Sequence, residues 1–282
     1  MKSYYDLSQL AAAAYTATYT ATVDLDVHYQ VLPFDDEIIV VFPGTHPTEV
    51  LDWLRDFSAL PIWVKGVGPL HSGFGGGARA AWDKLAPTLP TDRLVTFLGH
   101  SLGGALAACT AAIHAYERPG VKFRLVTFGE PRSGFLNPWF RSLLAKGQEV
   151  ARFARNGDIV PTVPTKPPFT HGSPKTVVGT STGDWIADHS MANYAIDVKS
   201  IGPHVLGVAA ISQEDLSMKS SFWLHLGAQI GIAAAGSAVT TLSGADYSSL
   251  GAWAGPLQAA AALAVAAYTH FLPLTPAAPA VK

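Results

Sequence analysis

Five residues, Gly99-His100-Ser101-Leu102-Gly103, constrain the fold of this chain more than any other feature. They follow the apolar run Leu94-Val95-Thr96-Phe97-Leu98 and open a helical stretch from Leu102 to about Tyr116. A Gly-x-Ser-x-Gly pattern set between a strand and a helix needs a turn so tight that the serine backbone is strained. Side chains at 99 and 103 would collide with neighbouring backbone. The turn lifts the Ser101 hydroxyl above the sheet at the positive end of a helix, and it aims the Leu102 N–H where an oxyanion would form.

The rest of the chain supplies the strands and helices such a turn requires. Ile38-Ile39-Val40-Val41-Phe42 is an unbroken apolar run ending in Pro43-Gly44, the pattern of a strand buried on both faces. Val23 to Leu32, Phe123 to Phe128 and Glu149 to Ala154 are further β-rich segments, Ala78 to Leu85 reads as helix, and Asp6 is placed as the N-cap of a short helix through Tyr15. Strands alternating with helices imply an α/β class with a mostly parallel sheet covered on both faces. With 282 residues, 49% hydrophobic and 14% charged, the chain can build one large domain and has apolar residues left over. A net charge of −2 and no run of Lys or Arg give no footprint for nucleic acid. Cys109 is the single cysteine, so no intrachain disulfide forms. Leu10 to Ala14 is too short for the apolar core of a signal peptide, so none is expected, and the expected location is cytoplasmic or membrane-associated.

A serine hydroxyl needs a base to take its proton and a carboxylate to hold that base. In folds with this turn the chain order is serine, acid, histidine. His171, His189 and His204 follow Ser101 in plausible loops, with Glu130, Asp158, Asp184 and Asp188 as acids. Asp158 lies in Arg155-Asn156-Gly157-Asp158-Ile159-Val160-Pro161, just past a strand and so at the C-terminal sheet edge where sites assemble. Asp184 is its rival. Asp188 adjoins His189 and cannot easily reach round to that ring's Nδ1, so it reads better as a helix N-cap.

Taken together, the motifs resemble the class 3 lipases, the fungal-type triacylglycerol lipases and their relatives. The resemblance runs from about Ile38 to Tyr194 and rests on Thr96 to Ala107, Val126 to Gly134, Asn156 to Pro161 and Asp188 to Tyr194, in the family's order. It implies an α/β-hydrolase fold and carboxylic ester hydrolysis by a lipase or esterase, acting on acylglycerols or related lipid esters, or on small esters, through an acyl-enzyme. It implies Ser101 as nucleophile, Asp158 as acid and His189 as base, and it gives His171-Gly172 and His71-Ser72-Gly73-Phe74 the role of structural turns. Val41-Phe42-Pro43-Gly44-Thr45 matches the oxyanion loop, which makes Thr45, with its N–H and hydroxyl, the partner of the Leu102 N–H. Pro43 stands where the family usually has arginine. Glu49 to Asp56 matches the lid segment, with Trp53 facing the acyl groove and Asp56 orienting the Thr45 hydroxyl. No cofactor is implied, and no metal motif is present. Gly75-Gly76-Gly77 lacks the Lys-Ser/Thr ending of a phosphate loop.

Composition changes sharply after Lys219: between Lys219 and Lys282 the only Asp, Glu, Lys or Arg is Asp246. The expected division is residues 1–215 as the hydrolase and 216–282 as an apolar helical hairpin. Phe222 to Leu242 and Leu250 to Leu272 each approach the ~20 residues that span a bilayer. Gly227 and Gly231, and Gly251 and Gly255, are spaced for close helix approach, and Trp223 and Trp253 sit near segment ends where interfacial aromatics belong. Membrane association through residues 222–272 is one expectation; the other is an Ala-rich helix pair packed on the hydrolase or against a second subunit. The alternative function is a membrane-active or lysis-associated protein with accessory phospholipase activity. A third reading is an acyltransferase using the same acyl-enzyme.

Overall fold

The computed structural model describes residues 1–23, 27–45, 60–164, 166, 168–199 and 201. The chain divides into two units, Met1–Ala210 and Ile211–Lys282. The apolar segments 222–242 and 250–272 and the lid segment 49–56 lie outside the described residues. Among the described residues no helix is long and apolar enough to cross a membrane.

In chain order the described elements are α1 (Tyr4–Ala13), β1 (Ala21–Val23), β2 (Val27–Pro33), β3 (Glu37–Phe42), β4 (Pro61–Val64), β5 (Gly68–His71), α2 (Ser72–Leu85), β6 (Leu94–His100), α3 (Leu102–Glu117), β7 (Phe123–Phe128), β8 (Gly134–Phe135), α4 (Pro138–Leu144), β9 (Glu149–Arg155), β10 (Phe169–Thr170), β11 (Thr176–Val178), α5 (Trp185–Asp188) and α6 (Met191–Val198). The main sheet runs β1-β2-β3-β6-β7-β9-β11. From β3 to β11 every pairing is parallel, and β1 and β2 join antiparallel at one edge. This mostly parallel sheet with helices on both faces is an α/β-hydrolase fold.

The apolar runs explain the layers. All six residues of β3 are buried, and successive side chains point to opposite faces. Val40, Phe42, Phe97 and Leu125 pack on one face with Phe74, Trp82 and most of α3. Ile39, Val41, Leu98, Val126 and Phe153 pack on the other with Tyr4, Leu7, Met191, Tyr194 and Val198 of α1 and α6. Helix α3 is buried from Gly103 to Ala115, as expected of a helix apolar on all sides. Its first turn fits only because it is thin. A Cβ on Gly103 would lie 2.1 Å from the Phe42 carbonyl oxygen and 2.5 Å from that of Pro43, and one on Gly99 would lie 2.2 Å from the Gly103 carbonyl oxygen.

Several expectations need correction. Ser3, not Asp6, caps α1: its hydroxyl accepts from the Asp6 N–H while the Asp6 carboxylate accepts back from Ser3, a reciprocal box that moves the helix start upstream. Helix α2 begins at Ser72, not Ala78, because burial of Phe74, Gly75 and Gly77 outweighs the poor helix propensity of its glycines. His71-Ser72-Gly73-Phe74 is accordingly a strand end running into a helix. The segment read as Val23 to Leu32 contributes to two antiparallel strands, Ala21–Val23 and Val27–Pro33. A second sheet, β10-β8-β5-β4, has no expected counterpart.

Two predictions follow from this packing. Gly103→Ala forces Cβ against fixed backbone and lowers unfolding free energy by about 1–3 kcal/mol or more. Gly73→Ala, whose Cβ meets only the His71 ring at 3.6 Å, leaves stability unchanged or raises it by up to ~1 kcal/mol. Urea titration of both variants checks the contrast. The second concerns His114, fully buried on α3 against the rings of Trp82, Phe97 and Phe123. Burial pushes its imidazole down to about 4 from 6.5. The unfolded chain therefore takes up this proton near pH 6.5 and the folded protein only near 4, so the stability is intact above about 6.5 and is lost as pH falls toward about 4. The gap is worth ~3 kcal/mol. Unfolding free energies measured across that window should fall by about that much more in wild type than in His114→Leu.

Candidate active site

The parallel strands end in register: Phe42 lies beside Gly99, and His100 beside Phe128, which in turn lies beside Phe153. The loops leaving these ends carry Thr45, Ser101, Gly129 and Asp158 to one edge of the sheet. Ser101 has φ 58° and ψ −129°, a strained backbone of the kind such a turn imposes and one that costs ~1–3 kcal/mol. Its N–H is held by the Phe128 carbonyl at 2.9 Å, and its own carbonyl accepts from Gly104 at 2.9 Å. Leu102 is the first residue of α3, where N–H groups have no intrahelical acceptor.

Ser101, His189 and Asp158 are joined in one line. Ser101 Oγ lies 2.8 Å from His189 Nε2, and His189 Nδ1 lies 2.9 Å from Asp158 Oδ2. All three are buried. Asp158 is fixed on two further sides: Oδ1 accepts the Val160 N–H at 2.9 Å, and Oδ2 accepts the Tyr194 hydroxyl at 2.6 Å. Tyr194 in turn accepts the Arg155 N–H at 2.9 Å. Burial, and then the neighbouring Asp158 charge, push the Tyr194 phenol well above its ordinary value, so it stays a donor. A carboxylate accepting on Nδ1 leaves the Nε2 lone pair free for the Ser101 proton.

The other candidates are placed elsewhere. Glu130 is buried, accepts the Thr127 hydroxyl at 2.6 Å and faces His171, whose Nδ1 is 3.6 Å away. His171 also reaches the Pro161 carbonyl at 2.9 Å, and burial lowers its pKa. Asp184 is exposed and caps α5 through the Ile186 N–H at 2.9 Å. The cap before α6 is Ser190, not Asp188. Asp188 is buried and binds the Arg155 guanidinium, the Ser181 hydroxyl at 2.7 Å and the Thr182 N–H at 2.9 Å. These hydrogen bonds and the Arg155 cation hold its carboxyl below the usual value, against the opposing effect of desolvation. Arg155 also binds Asp197 of α6 at 2.7 Å. The loop that presents His189 is thus tied to the strand that presents Asp158. Thr45 is half-buried and lines a cavity of about 490 Å³ together with Ala12, Tyr15, His100, Trp185, Ile186 and His189. Trp53, Asp56 and His204 lie outside the described residues.

The sequence alone left out Tyr194, Gly129 and Tyr15. Tyr194 sits within the histidine motif, five residues past His189, and that spacing was its one signal. Gly129 has φ 59°, and a Cβ there would lie 2.9 Å from His189 Cε1 and 3.0 Å from Asp158 Oδ2. Tyr15 stands in an Ala- and Thr-rich stretch without any motif.

The model of the class 3 lipases, "Lipase (class 3)", matches residues 39–167. This segment belongs to the class 3 lipase family. A lipase of Caenorhabditis elegans is 27% identical over 207 residues, 68% of this chain and 58% of its own. A secreted mono- and diacylglycerol lipase of Fusarium solani is 31% identical over 150 residues, 48% of this chain and 41% of its own. The chain thus spans less than two thirds of either relative. Among solved structures, the triacylglyceride lipase of Rhizomucor miehei matches with a TM-score of 0.51 at 22% identity, covering 61% of this chain and 77% of that one. A triacylglycerol lipase of Penicillium expansum matches with 0.51 at 21% identity, covering 61% and 76%. At these identities the structures establish a shared fold. In this class 3 lipase segment the elbow, the loop from Val41 to Thr45 and Asp158 all fall inside the match, and His189 lies beyond its end.

Ser101 reactivity is expected to depend on Gly129. Gly129→Ala pushes on both the imidazole and the carboxylate, and a displacement near 1 Å costs about 10²-fold. Labelling of Ser101 by a fluorophosphonate probe should slow by that factor in the variant. Equal labelling rates would show that the glycine does not set the spacing.

Proposed function

We propose that this protein hydrolyses carboxylic esters of lipids, with acylglycerols as the substrate class, through an acyl-enzyme on Ser101. The observation that carries this reading is the unbroken hydrogen-bonded line from Asp158 through His189 to Ser101. In the proposed reaction His189 Nε2 takes the Ser101 proton as Oγ attacks the ester carbonyl, and Asp158 steadies the imidazolium that forms. The Leu102 N–H and the Thr45 N–H and hydroxyl receive the developing oxyanion. The imidazolium then gives its proton to the departing alcohol, leaving the acyl group on Ser101. Water, deprotonated by the same imidazole, releases the acid.

The substrate class rests on two supports. The Fusarium solani relative acts on mono- and diacylglycerols by its name. The cavity beside His189 is walled by Ala12, Trp185, Ile186 and Met191, side chains suited to an acyl chain. The lysis-associated alternative finds no support among the relatives. For residues 222–272 membrane association stays part of this proposal, supported by their length and apolar composition.

The test is hydrolysis of p-nitrophenyl esters and of mono- and diacylglycerols over a series of acyl lengths. Wild type should turn over and Ser101→Ala should lose at least ~10³-fold in kcat. Wild-type turnover equal to that of Ser101→Ala would overturn the proposal. Thr45→Val removes one donor to the oxyanion and should cost about 10²–10³-fold in kcat with KM little changed. A rise in KM at constant kcat would assign Thr45 to substrate binding instead.

A further inference from the structure

Two aromatic residues outside the triad meet where the oxyanion loop, the elbow and the His189 loop converge. His100 Nε2 lies 2.8 Å from the His189 carbonyl oxygen. A carbonyl only accepts, so this nitrogen carries the proton. The ring is buried, which pushes its pKa well below the ordinary value, with His189 alongside adding to the effect. A neutral ring protonated on Nε2 has a bare lone pair on Nδ1. The Tyr15 hydroxyl lies 2.5 Å from that nitrogen and must therefore donate to it. Its oxygen also lies against the Gly44 backbone, one residue before Thr45: a Cβ on Gly44 would meet it at 2.3 Å. Burial raises the Tyr15 phenol, so the donor stays protonated.

Donors and acceptors here are thus assigned in one direction only: Tyr15 O–H to His100 Nδ1, and His100 Nε2–H to the His189 carbonyl. We propose that Tyr15 and His100 form a positioning strut that fixes the His189 backbone, and with it the imidazole, relative to the oxyanion loop. The strut draws on three separate parts of the chain: the end of α1, the elbow and the segment before α6. Neither residue touches the reacting atoms through these bonds. Each acts through what it holds, and the assignment of its effect to turnover rests on the ester-hydrolase reading.

Tyr15→Phe keeps the aromatic wall of the cavity and removes only the hydroxyl. It should lower kcat by about tenfold, the value of one buried hydrogen bond, with KM within twofold of wild type. A wall or folding defect would instead raise KM or reduce the amount of folded enzyme. Imidazole ¹⁵N spectra give a readout independent of turnover. In wild type, His100 should show the neutral Nε2–H form from pH 7 to 5, and in Tyr15→Phe the Nδ1 resonance alone should shift as it loses its donor. An Nδ1–H form, a cationic ring in that range, an unmoved Nδ1 resonance in the variant, or an unchanged kcat in an enzyme whose turnover requires Ser101 would each overturn the strut. If wild type shows no Ser101-dependent turnover, the ester-hydrolase reading fails by itself, and the spectra alone decide the strut.

Discussion

The contact on which the site depends is between bare backbone and bare backbone. Gly103 brings the first turn of α3 against the carbonyls of Phe42 and Pro43, and Gly99 lies equally close to Gly103. Two stretches far apart in sequence meet there with no side chain between them: the end of β3, and the continuous run from the end of β6 into the start of α3. This closeness is what permits the strained Ser101 backbone, because a turn of φ 58° and ψ −129° persists only where its surroundings leave no alternative. It also sets the loop of Pro43, Gly44 and Thr45 beside the elbow, since Pro43 and Gly44 continue directly from the strand that Gly103 touches. Stability lost at the strained residue is offset by the apolar burial of α3, which is almost complete.

The histidine loop is held differently, by charge. Arg155 at the end of β9 binds Asp188, next to His189, and Asp197 on α6. Buried pairs of this kind add little net stability, because desolvation offsets their attraction. Their value here is geometric: a guanidinium offers donors in a rigid fork, so the end of β9, the residue before His189 and helix α6 are locked at one spacing. Asp158 follows three residues after Arg155, so Asp158 and His189 are placed by the same strand end.

These two modes of construction explain what was legible in the sequence. The strands Glu37–Phe42, Leu94–His100 and Phe123–Phe128 read clearly because a strand buried on both faces leaves an unbroken apolar run. The elbow read clearly because backbone proximity demands glycine at fixed offsets, and glycine is visible. Helix α2 was cut short because its first turn is glycine-rich, which local propensity counts against a helix while tertiary burial decides for one. The short strands β4, β5, β8 and β10 were not foreseen, since two to four residues carry too little periodicity to register. Asp188 reads as a cap for a related reason: an aspartate just before a helix looks like one, and nothing local announces its partner Arg155, 33 residues upstream.

The choice among the carboxylates follows the same logic. Asp184 and Asp158 are equivalent as isolated groups, and Asp184 is far nearer to His189 in sequence. Asp184 is exposed, and its oxygen serves the N–H of Ile186. Asp158 sits at the edge of a parallel sheet, where the Val160 N–H and the Tyr194 hydroxyl converge on it and leave one direction open, toward His189 Nδ1. A carboxylate fixed on two sides cannot rotate away from the third, so the imidazole is held in one orientation and one tautomer. Sequence distance carries no weight in that competition. Because Tyr194 joins Asp158 to the Arg155 backbone while the Arg155 side chain holds the His189 loop, Asp158 and His189 are not two independently placed groups.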